Sequence, residues 1–535
     1  MRKKVWVYLL VLVFAAGALA GCGSSGGGKT PNKTLRITTG AEPETLDPRK
    51  AIGVPEGNVM KQIFEGLCNV DAKGSIVPGV AERWEVAPDA MKFTFYLRAN
   101  AKWSNGDPVT AQDFEYAWKT LLSPELGSRY AEQLFCIKNA QQYNKGETSA
   151  DQVGIRALND RTLEVVLEKP TTYFLSLTTF WTYYPLCKKV VESNDKWNTD
   201  VNTLIGNGPF KAAEWVHNSK ITLVKNENYW QKDVVKLDKV EFYLVENQKT
   251  ILDMFENNQL DVSQVPPPLA EMPRLQKENK LKILPEVGVY HYMFNVTKPP
   301  FDNVKVRKAM ALAIDRTKII DTITKGGEKA ALAWAPLGLP DVKAGEDFRK
   351  VGGDFFKDND VETAKKLLAE AGYPDGKGLP PITMLYNTSD IHKVIAEALQ
   401  EMWKKNLGIT VSLVNQEWKV YLQARYQGDF MMARRGWLGD YLDPMTAMET
   451  MLGDNKNNNT RWKNPEYDKL IRQAQVTLEP AQRMKLMHDA EKILMEEMPF
   501  VPIYFSTTKL YERPNVKGII RDAMSSVYLR EASVE

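Results

Sequence analysis

Residues 433–444 have the sequence Ala-Arg-Arg-Gly-Trp-Leu-Gly-Asp-Tyr-Leu-Asp-Pro, which is polar for a segment that follows an apolar run. The preceding residues 429–432 predict a short strand that enters a core. The two glycines of the segment allow another backbone to come close. Asp440, a single carboxylate beside aromatic rings, is suited to holding a cation such as an amino terminus. On local composition alone, a solvated turn closed by the final Asp-Pro pair fits equally well.

The composition is that of a soluble globular protein. Of 535 residues, 43% are hydrophobic and 26% are charged, and this length suggests several domains or one multi-lobed body. The formal net charge is +3, and Arg2, Lys3 and Lys4 supply +3 within residues 1–21, which contain no Asp or Glu. The remainder is therefore neutral and does not indicate binding to nucleic acid or to an anionic surface.

The N-terminus predicts an export signal. A basic start is followed by an apolar run at 5–20 that is short for a membrane span. Residues 19–22, Leu-Ala-Gly-Cys, resemble a bacterial lipobox, which implies cleavage before Cys22, a lipid on its sulfur and anchoring on the outer face of the cell membrane. An ordinary signal peptide that contains a cysteine is the alternative. We predict a signal peptide at 1–21 and a lipidated cysteine with a flexible tether at 22–33.

Sites for nucleotides, metals or cofactors are not indicated. Residues 23–30 fit the P-loop expression letter for letter, but a P-loop needs a strand before it and a helix after it, whereas here an export signal precedes it and Pro31 follows. Residues 454–459 are rich in oxygen ligands but lack the glycine and the closing glutamate of a calcium loop, so we expect a solvated loop. The three cysteines after Cys22 show no metal spacing, and their odd number leaves at least one thiol free or paired between chains.

Hydrophobic periodicity along the rest of the chain alternates strands with helices, which predicts an α/β architecture. The predicted strands lie at 34–39, 92–98, 161–169, 221–225, 240–245, 257–262, 289–295, 383–386, 409–414 and 501–505. The predicted helices lie at 59–67, 111–122, 249–257, 304–315, from the cap Asp360 to Gly372, 391–405, 465–477 and 480–498.

Short motifs spread along nearly the whole mature chain carry a resemblance to a known family. They are Phe-Glu-Gly-Leu at 64–67, Pro-Gly-Val-Ala-Glu-Arg-Trp at 78–84, Leu-Arg at 97–98, Lys-Trp-Ser-Asn-Gly at 102–106, Pro-Val-Thr-Ala-Gln-Asp-Phe at 108–114, Val-Arg-Lys-Ala at 306–309, Ala-Ile-Asp-Arg at 313–316, Leu-Tyr-Asn-Thr-Ser-Asp at 385–390 and Asn-Gln-Glu-Trp at 415–418. No single motif decides, but their number and order are specific. The chain resembles the oligopeptide-binding lipoproteins of ABC importers, in the family 5 dipeptide/oligopeptide/nickel class of extracellular solute-binding proteins.

The resemblance implies a two-lobed periplasmic-binding-protein-like α/β fold of type II with an extra inserted domain, three domains in all. Lobe I would consist of 34–64, 190–290 and 505–535. The inserted domain would be 65–189, attached to lobe I, and lobe II would be 291–504. A peptide would be enclosed between lobes that close by a hinge.

The resemblance also implies a binding mode. Asp440 matches the carboxylate that pairs with the peptide amino terminus. Gly436 and Leu438 match positions that bond the peptide backbone, and Val54 matches the facing segment of the other lobe. The peptide would then act as an added β-strand. Because main-chain bonds carry no side-chain information, many peptide sequences would bind.

Further positions match residues around the ligand. Arg434 and His392 match cations that meet the peptide carboxyl terminus. The expected pocket walls are Trp418, Trp437, Tyr130 and Asn387.

Two positions depart from the pattern of a relative. Arg435 adds a positive charge where the relative has a small residue, and it either alters the preferred length or charge of the ligand or faces solvent. Leu438 replaces a cysteine, so the disulfide expected in that relative cannot form.

We therefore expect an extracytoplasmic receptor, monomeric, that delivers short peptides to a membrane ABC permease with its ATPase subunits and needs no cofactor or metal. A narrower receptor of the same class, for murein tripeptide, dipeptide, signalling peptide or nickel and haem, is the alternative. A secreted peptide hydrolase is disfavoured, because His217, His291, His392 and His488 form no HExxH or triad motif. His291, between tyrosines in an apparent strand, is expected to be a core residue.

Overall fold

The computed structural model describes residues 33–71, 74–343 and 345–535, apart from the side chain of Lys419. The predicted signal, the lipobox with Cys22 and the P-loop-like stretch lie outside the described residues. In the described part of the chain, no helix combines the length and the apolar character that a bilayer crossing requires. Cys68, Cys136 and Cys187 are all free thiols.

The strands, in chain order, are β1 (Thr34–Thr38), β2 (Cys68–Val70), β3 (Ile76–Pro78), β4 (Ala81–Val86), β5 (Lys92–Leu97), β6 (Ile155–Asn159), β7 (Thr162–Val166), β8 (Phe210–Val216), β9 (Lys220–Lys225), β10 (Lys239–Tyr243), β11 (Val262–Ser263), β12 (Leu281–Phe294), β13 (Lys329–Ala330), β14 (Ile382–Asn387), β15 (Val411–Gln416), β16 (Met432–Leu438), β17 (Phe500–Glu512), β18 (Val516–Lys517), β19 (Ile520–Arg521), β20 (Val527–Tyr528) and β21 (Ser533–Val534).

The helices are α1 (Val54–Ile63), α2 (Ala111–Leu122), α3 (Ala140–Asn144), α4 (Phe174–Leu177), α5 (Lys188–Ser193), α6 (Gln248–Glu256), α7 (Met272–Lys277), α8 (Val304–Leu312), α9 (Arg316–Ile319), α10 (Phe348–Gly352), α11 (Val361–Glu370), α12 (Asp390–Leu407), α13 (Trp418–Gln427), α14 (Met445–Met448), α15 (Pro465–Val476) and α16 (Pro480–Glu497).

The α/β class predicted from the rhythm of the sequence is present. One mixed sheet has the strand order β15-β14-β16-β12-β17-β11-β1-β10-β9-β8, with β13 paired to β17. A separate four-stranded sheet, β4-β5-β7-β6, lies wholly within the predicted inserted domain. The large sheet therefore contains strands of both predicted lobes.

Helix α2 has the bounds predicted from its sequence because its first turn is fixed by a side chain. The backbone N–H of Thr110 donates to Asp113 Oδ2 at 2.8 Å, and the Thr110 hydroxyl donates to the same oxygen at 2.9 Å. The indole N–H of Trp103 donates to that oxygen as well, at 3.2 Å. Phe114 and Trp118 are fully buried on the inner face of the helix. A capped start and an apolar stripe together determine this element.

Helix α1 begins before its predicted start at residue 59. Pro55 lies in its first turn, where the missing N–H of proline costs no hydrogen bond. The helix ends at Ile63, because Phe64 has extended backbone angles. The prediction took residues 54–58 as the opening of the helix and left them outside its range.

Strands β12 and β17 are much longer than predicted and pair with each other along most of their lengths. Their antiparallel ladder is shifted between Tyr290 and His291, where the partners step from Tyr504 to Pro502. The predicted boundaries of the lobes, at 290/291 and 504/505, fall in these two strands beside this bulge. His291 itself is 2% exposed and lies between the rings of Trp334 and Phe500, as a core residue.

Candidate functional site

One edge of strand β16 is open. Its other edge pairs with β12 over all seven residues. On the open side, β14 pairs only with Met432 and Ala433. Among the described strands, none pairs with residues 434–438 on that edge. Since Gly436 is exposed and has no side chain, the edge is accessible to another extended chain.

Strand β16 runs through the segment whose local composition also fitted a turn. The short strand predicted at 429–432 had the wrong extent. Ala433, Arg435 and Trp437 are buried, whereas Arg434 and Leu438 are only partly buried. This alternation is typical of a strand. A hydrophobicity profile of the sequence does not show this alternation, because a charged residue, Arg435, occupies one of the buried positions.

Arg434, Asn387 and His392 are brought together around Tyr290. The guanidinium of Arg434 lies 4.5 Å from the centre of the Tyr290 ring, and its Nη1 donates to Asn387 Oδ1 at 3.4 Å. The Tyr290 hydroxyl and His392 Nδ1 are 3.1 Å apart. Three residues expected near the ligand thus form one cluster, held by a tyrosine that sequence reasoning did not single out.

His392 is not a cation in this structure. Burial, and then the charge of Arg434, lower the pKa of its imidazole to about 2. The cluster therefore carries one positive charge, on Arg434, and a neutral imidazole that can exchange hydrogen bonds. A carboxylate placed beside both groups would favour protonation of His392.

Asp440 lies beyond the end of the open edge that is farther from the Arg434 cluster. Its backbone N–H donates to Thr446 Oγ1 at 3.0 Å, which fixes the main chain. Its Oδ2 accepts a hydrogen bond at 3.1 Å from Nε2 of Gln133, a residue of the predicted inserted domain. Burial raises the pKa of the Asp440 carboxyl to about 6, although Gln133 and Arg435 both act to lower it. Among the described residues, no cationic nitrogen lies within 4.0 Å of this carboxylate.

Tyr130, another residue expected near the ligand, packs against the ring of Trp181. Burial and the charge of Asp440 raise the pKa of Tyr130. Its ring centre lies 6.1 Å from that of Trp181, and the Trp181 indole N–H donates to Ala51 O at 3.2 Å. Three residues further on, Val54 is 47% exposed at the start of α1. Val54 is therefore accessible, but it makes no described contact with the clusters around Asp440 or Arg434.

The two tryptophans expected in pocket walls occupy different environments. Trp437 is 7% exposed and its ring centre lies 5.9 Å from that of Trp334, so most of its surface is in the hydrophobic core. Trp418 is 47% exposed at the start of α13 and stacks on Tyr421 at 5.7 Å. The Tyr421 hydroxyl donates to the carbonyl of Arg434. Trp418 therefore adjoins the open edge through Tyr421.

Two contacts join the predicted inserted domain to the predicted lobe II beside Asp440. The rings of Tyr173 and Tyr441 stack with centres 5.0 Å apart and planes 3° from parallel. The backbone N–H of Leu442 donates to Ser176 Oγ at 3.2 Å. Sequence reasoning missed these residues and Gln133, because no local pattern links positions so far apart in the chain.

The loop at 454–459 is solvated only in part: Asp454, Lys456 and Asn457 are exposed, but its end is buried. Asn458 is 5% exposed, and its side-chain amide donates to the carbonyls of Met451, Leu452 and Trp462 at 2.8–3.2 Å. The Asn458 side chain donates hydrogen bonds to backbone carbonyls, and this is why so polar a residue can be buried.

Comparisons with known proteins agree with this architecture. The family model described as bacterial extracellular solute-binding proteins, family 5 Middle, matches residues 75–459. The oligopeptide-binding protein OppA of Bacillus subtilis is 43% identical over 548 aligned residues, covering 99% of this chain and 99% of the relative. The dipeptide-binding protein DppE of the same organism is 40% identical, again with 99% coverage of both.

Two solved structures match closely. The OppA of Haemophilus influenzae in complex with the peptide RPPGFSPFR gives a TM-score of 0.82 at 35% identity and covers 94% of this chain and 99% of its own. The murein tripeptide binding protein MppA of Escherichia coli gives 0.83 at 36% identity and covers 94% and 98%.

Proposed function

Because the chain belongs to the bacterial extracellular solute-binding proteins of family 5, we propose that it binds short linear peptides outside the cytoplasm and delivers them to a membrane ABC permease with its ATPase subunits. Relatives that match it over their whole length are named for binding oligopeptides and dipeptides, and one solved relative holds a peptide. Proteins of this family bind and transport solutes.

The observation that carries the proposal is the open edge of β16 with an unpaired carboxylate at its end. A peptide laid along residues 434–438 would add a strand to the sheet and bond through its backbone. Its amino terminus would reach Asp440, whose carboxylate has no cationic partner within 4.0 Å in the described part of the chain. A buried carboxylate is stabilised by such a partner.

Arg434 and His392 are the proposed contacts of the peptide carboxyl terminus. Arg434 supplies a permanent charge at one side of Tyr290, and His392 lies at the other. A carboxylate between them would gain a charge-assisted hydrogen bond. Trp418, Tyr130 and Asn387 would contact side chains of the peptide, and Trp437 would contribute only the small part of its ring that is exposed.

Enclosure of the peptide would use the long strands. We propose that lobe I with the inserted domain and lobe II move about β12 and β17, at the bulge beside Tyr290 and His291. Bulged strands bend more readily than regular ones. We also propose that the lipid on Cys22 anchors the mature protein to the outer face of the cell membrane, where the permease lies.

Native mass spectrometry of the protein as purified tests the proposed function. A series of adducts at peptide masses, lost after mild denaturation and refolding, is the expected result, and their masses give the range of peptide lengths. A bare protein that also takes up no added tetrapeptide would refute it. One discrete adduct that is not a peptide would instead indicate a narrow receptor for another solute.

A further inference from the structure

The backbone of β16 alternates between its two edges, and hydrogen bonds just beyond each end of its ladder with β12 show which residues face which edge. The N–H of Gly439 donates to Val287 O at 2.8 Å. At the other end, the N–H of Asn295 donates to Met431 O at 2.9 Å. Backbone groups in an antiparallel pair point alternately toward and away from the partner strand, so the odd-numbered residues bond to β12. The carbonyls that face the open edge are therefore those of Arg434, Gly436 and Leu438.

One of these three carbonyls is already occupied. The Tyr421 hydroxyl donates to the carbonyl of Arg434. Tyr421 belongs to α13, is fully buried and is part of a hydrophobic cluster with Leu385 of β14 and Ala433 of β16. Leu385 and Ala433 are the last pair between those two strands. The tyrosine therefore lies where β14 separates from β16, and its hydroxyl occupies the first acceptor beyond that point.

The other two carbonyls are free of such a donor. Within the described part of the chain, no hydrogen bond reaches the carbonyl of Gly436 or that of Leu438. Gly436 is exposed and Leu438 is only partly buried. The open edge thus offers a ligand two backbone acceptors, followed by a third that the protein itself already uses.

The proposed peptide-binding function gives these positions a register. A peptide whose amino terminus meets Asp440 runs opposite to β16 along the edge, so the added strand is antiparallel. With its first residue opposite Leu438, its third lies opposite Gly436 and its fifth opposite Arg434. The N–H of the third residue would meet a free carbonyl, whereas that of the fifth would meet the carbonyl bonded to Tyr421.

We propose that the Tyr421 hydroxyl ends the backbone ladder of the bound peptide at Gly436, so that residues from the fifth onward leave the strand edge. The inference rests on the proposed peptide-binding function and adds a positioning residue to it. To bond Arg434, a peptide amide would have to displace the hydroxyl. Because that would leave a buried hydroxyl without a partner, the exchange gains nothing.

Isothermal titration calorimetry on the full chain tests this role with penta-alanine and two N-methylated forms of it. A methyl group on the amide nitrogen of residue 3 or residue 5 removes one donor and leaves length and charge unchanged. In the wild type, methylation at residue 3 should weaken binding about three- to tenfold, and methylation at residue 5 should leave the affinity unchanged. In Tyr421→Phe, which loses only the hydroxyl, methylation at residue 5 should weaken binding about threefold or more, because the freed carbonyl accepts the fifth amide.

Tyr467→Phe is the matched control. It also deletes a buried hydroxyl that donates to a backbone carbonyl, but that carbonyl belongs to Met448 in α14. Its response to methylation should be that of the wild type. If Tyr421→Phe does not fold, as judged by thermal unfolding, Tyr421→Met removes the hydroxyl with a side chain of similar length. Weaker binding on methylation at residue 5 in the wild type, or no such weakening in the folded Tyr421 variant, would overturn the proposal.

Failure of the proposed function gives a different result. If no alanine peptide binds, the protein is not a general peptide receptor. If penta-alanine binds but methylation at residue 3 has no effect in the wild type, the peptide does not pair with β16. In both cases the role of Tyr421 fails together with the binding mode.

Discussion

Replacing Asp440 with asparagine should weaken peptide binding while stabilising the empty protein. Asparagine keeps the shape of the side chain and can still bond Gln133, but it leaves a buried ammonium without its counter-charge. Loss of one partner from such a pair costs about 2–4 kcal/mol, which corresponds to roughly 30- to 1,000-fold in affinity. Calorimetry with tetra-alanine at pH 7.5 measures this change.

The pKa of Asp440 adds a dependence on pH. With a pKa of about 6, the carboxyl of the empty protein is ionised at pH 7.5 but largely protonated at pH 5. Peptide affinity should therefore fall by about tenfold for each pH unit below 6. The Asp440→Asn variant should lack this fall.

Stability of the empty protein should change in the opposite direction. The folded pKa lies above the ordinary value of 3.8, so the ionised carboxylate destabilises the fold at neutral pH, and this penalty disappears as pH falls below about 4. Asparagine removes this penalty of about 3 kcal/mol and should raise the Tm at pH 7.5. Two results would refute the assignment of Asp440 as the amino-terminus partner. One is an unchanged peptide affinity in the variant, and the other is a fall in its affinity below pH 6 as large as that of the wild type.

Three further outcomes are expected. Cys22→Ser should move the protein into the aqueous phase in detergent phase separation, and its retention in the detergent phase would contradict lipidation at that cysteine. Gly436→Val should weaken tetra-alanine binding about tenfold or more, because its Cβ would lie 3.0 Å from Nη2 of Arg434 on the exposed strand edge; full binding in calorimetry would place the peptide elsewhere. Trp437→Ala should lower stability by about 3–5 kcal/mol, since Trp437 is buried against Trp334, and denaturant unfolding with a midpoint like that of the wild type would show that this packing contributes little.

Local signals determined how much of the fold the sequence predicts. Helix α2 has its predicted bounds because Thr110 and Asp113 fix its first turn within four residues. The predicted start of α1 was too late, because a proline such as Pro55 is common both in loops and in the first turn of a helix. The prediction made strands β12 and β17 too short. The outer parts of their ladder depend on pairing between segments about 220 residues apart.

The charged residues of the candidate site carry a signal in the sequence, but their surroundings do not. Asp440 stands out as a carboxylate among rings, and the family resemblance indicated Arg434 and His392. Gln133 carried no signal, since its bond to Asp440 spans 307 positions of the chain. The neutral state of His392 likewise follows from burial beside Arg434, which only the folded structure reveals.

The open edge of β16 also bears on self-association. An unpaired strand edge is a template for any extended chain, including the same strand of a second molecule, and such pairing leads to aggregation. Here the edge carries the partly exposed Arg434, whose charge repels the same residue of an identical copy. Gln133, a residue of the predicted inserted domain, donates a hydrogen bond to Asp440 beside the edge and so narrows the approach further. A folded partner is thereby kept away from an edge that remains accessible to a short, flexible chain.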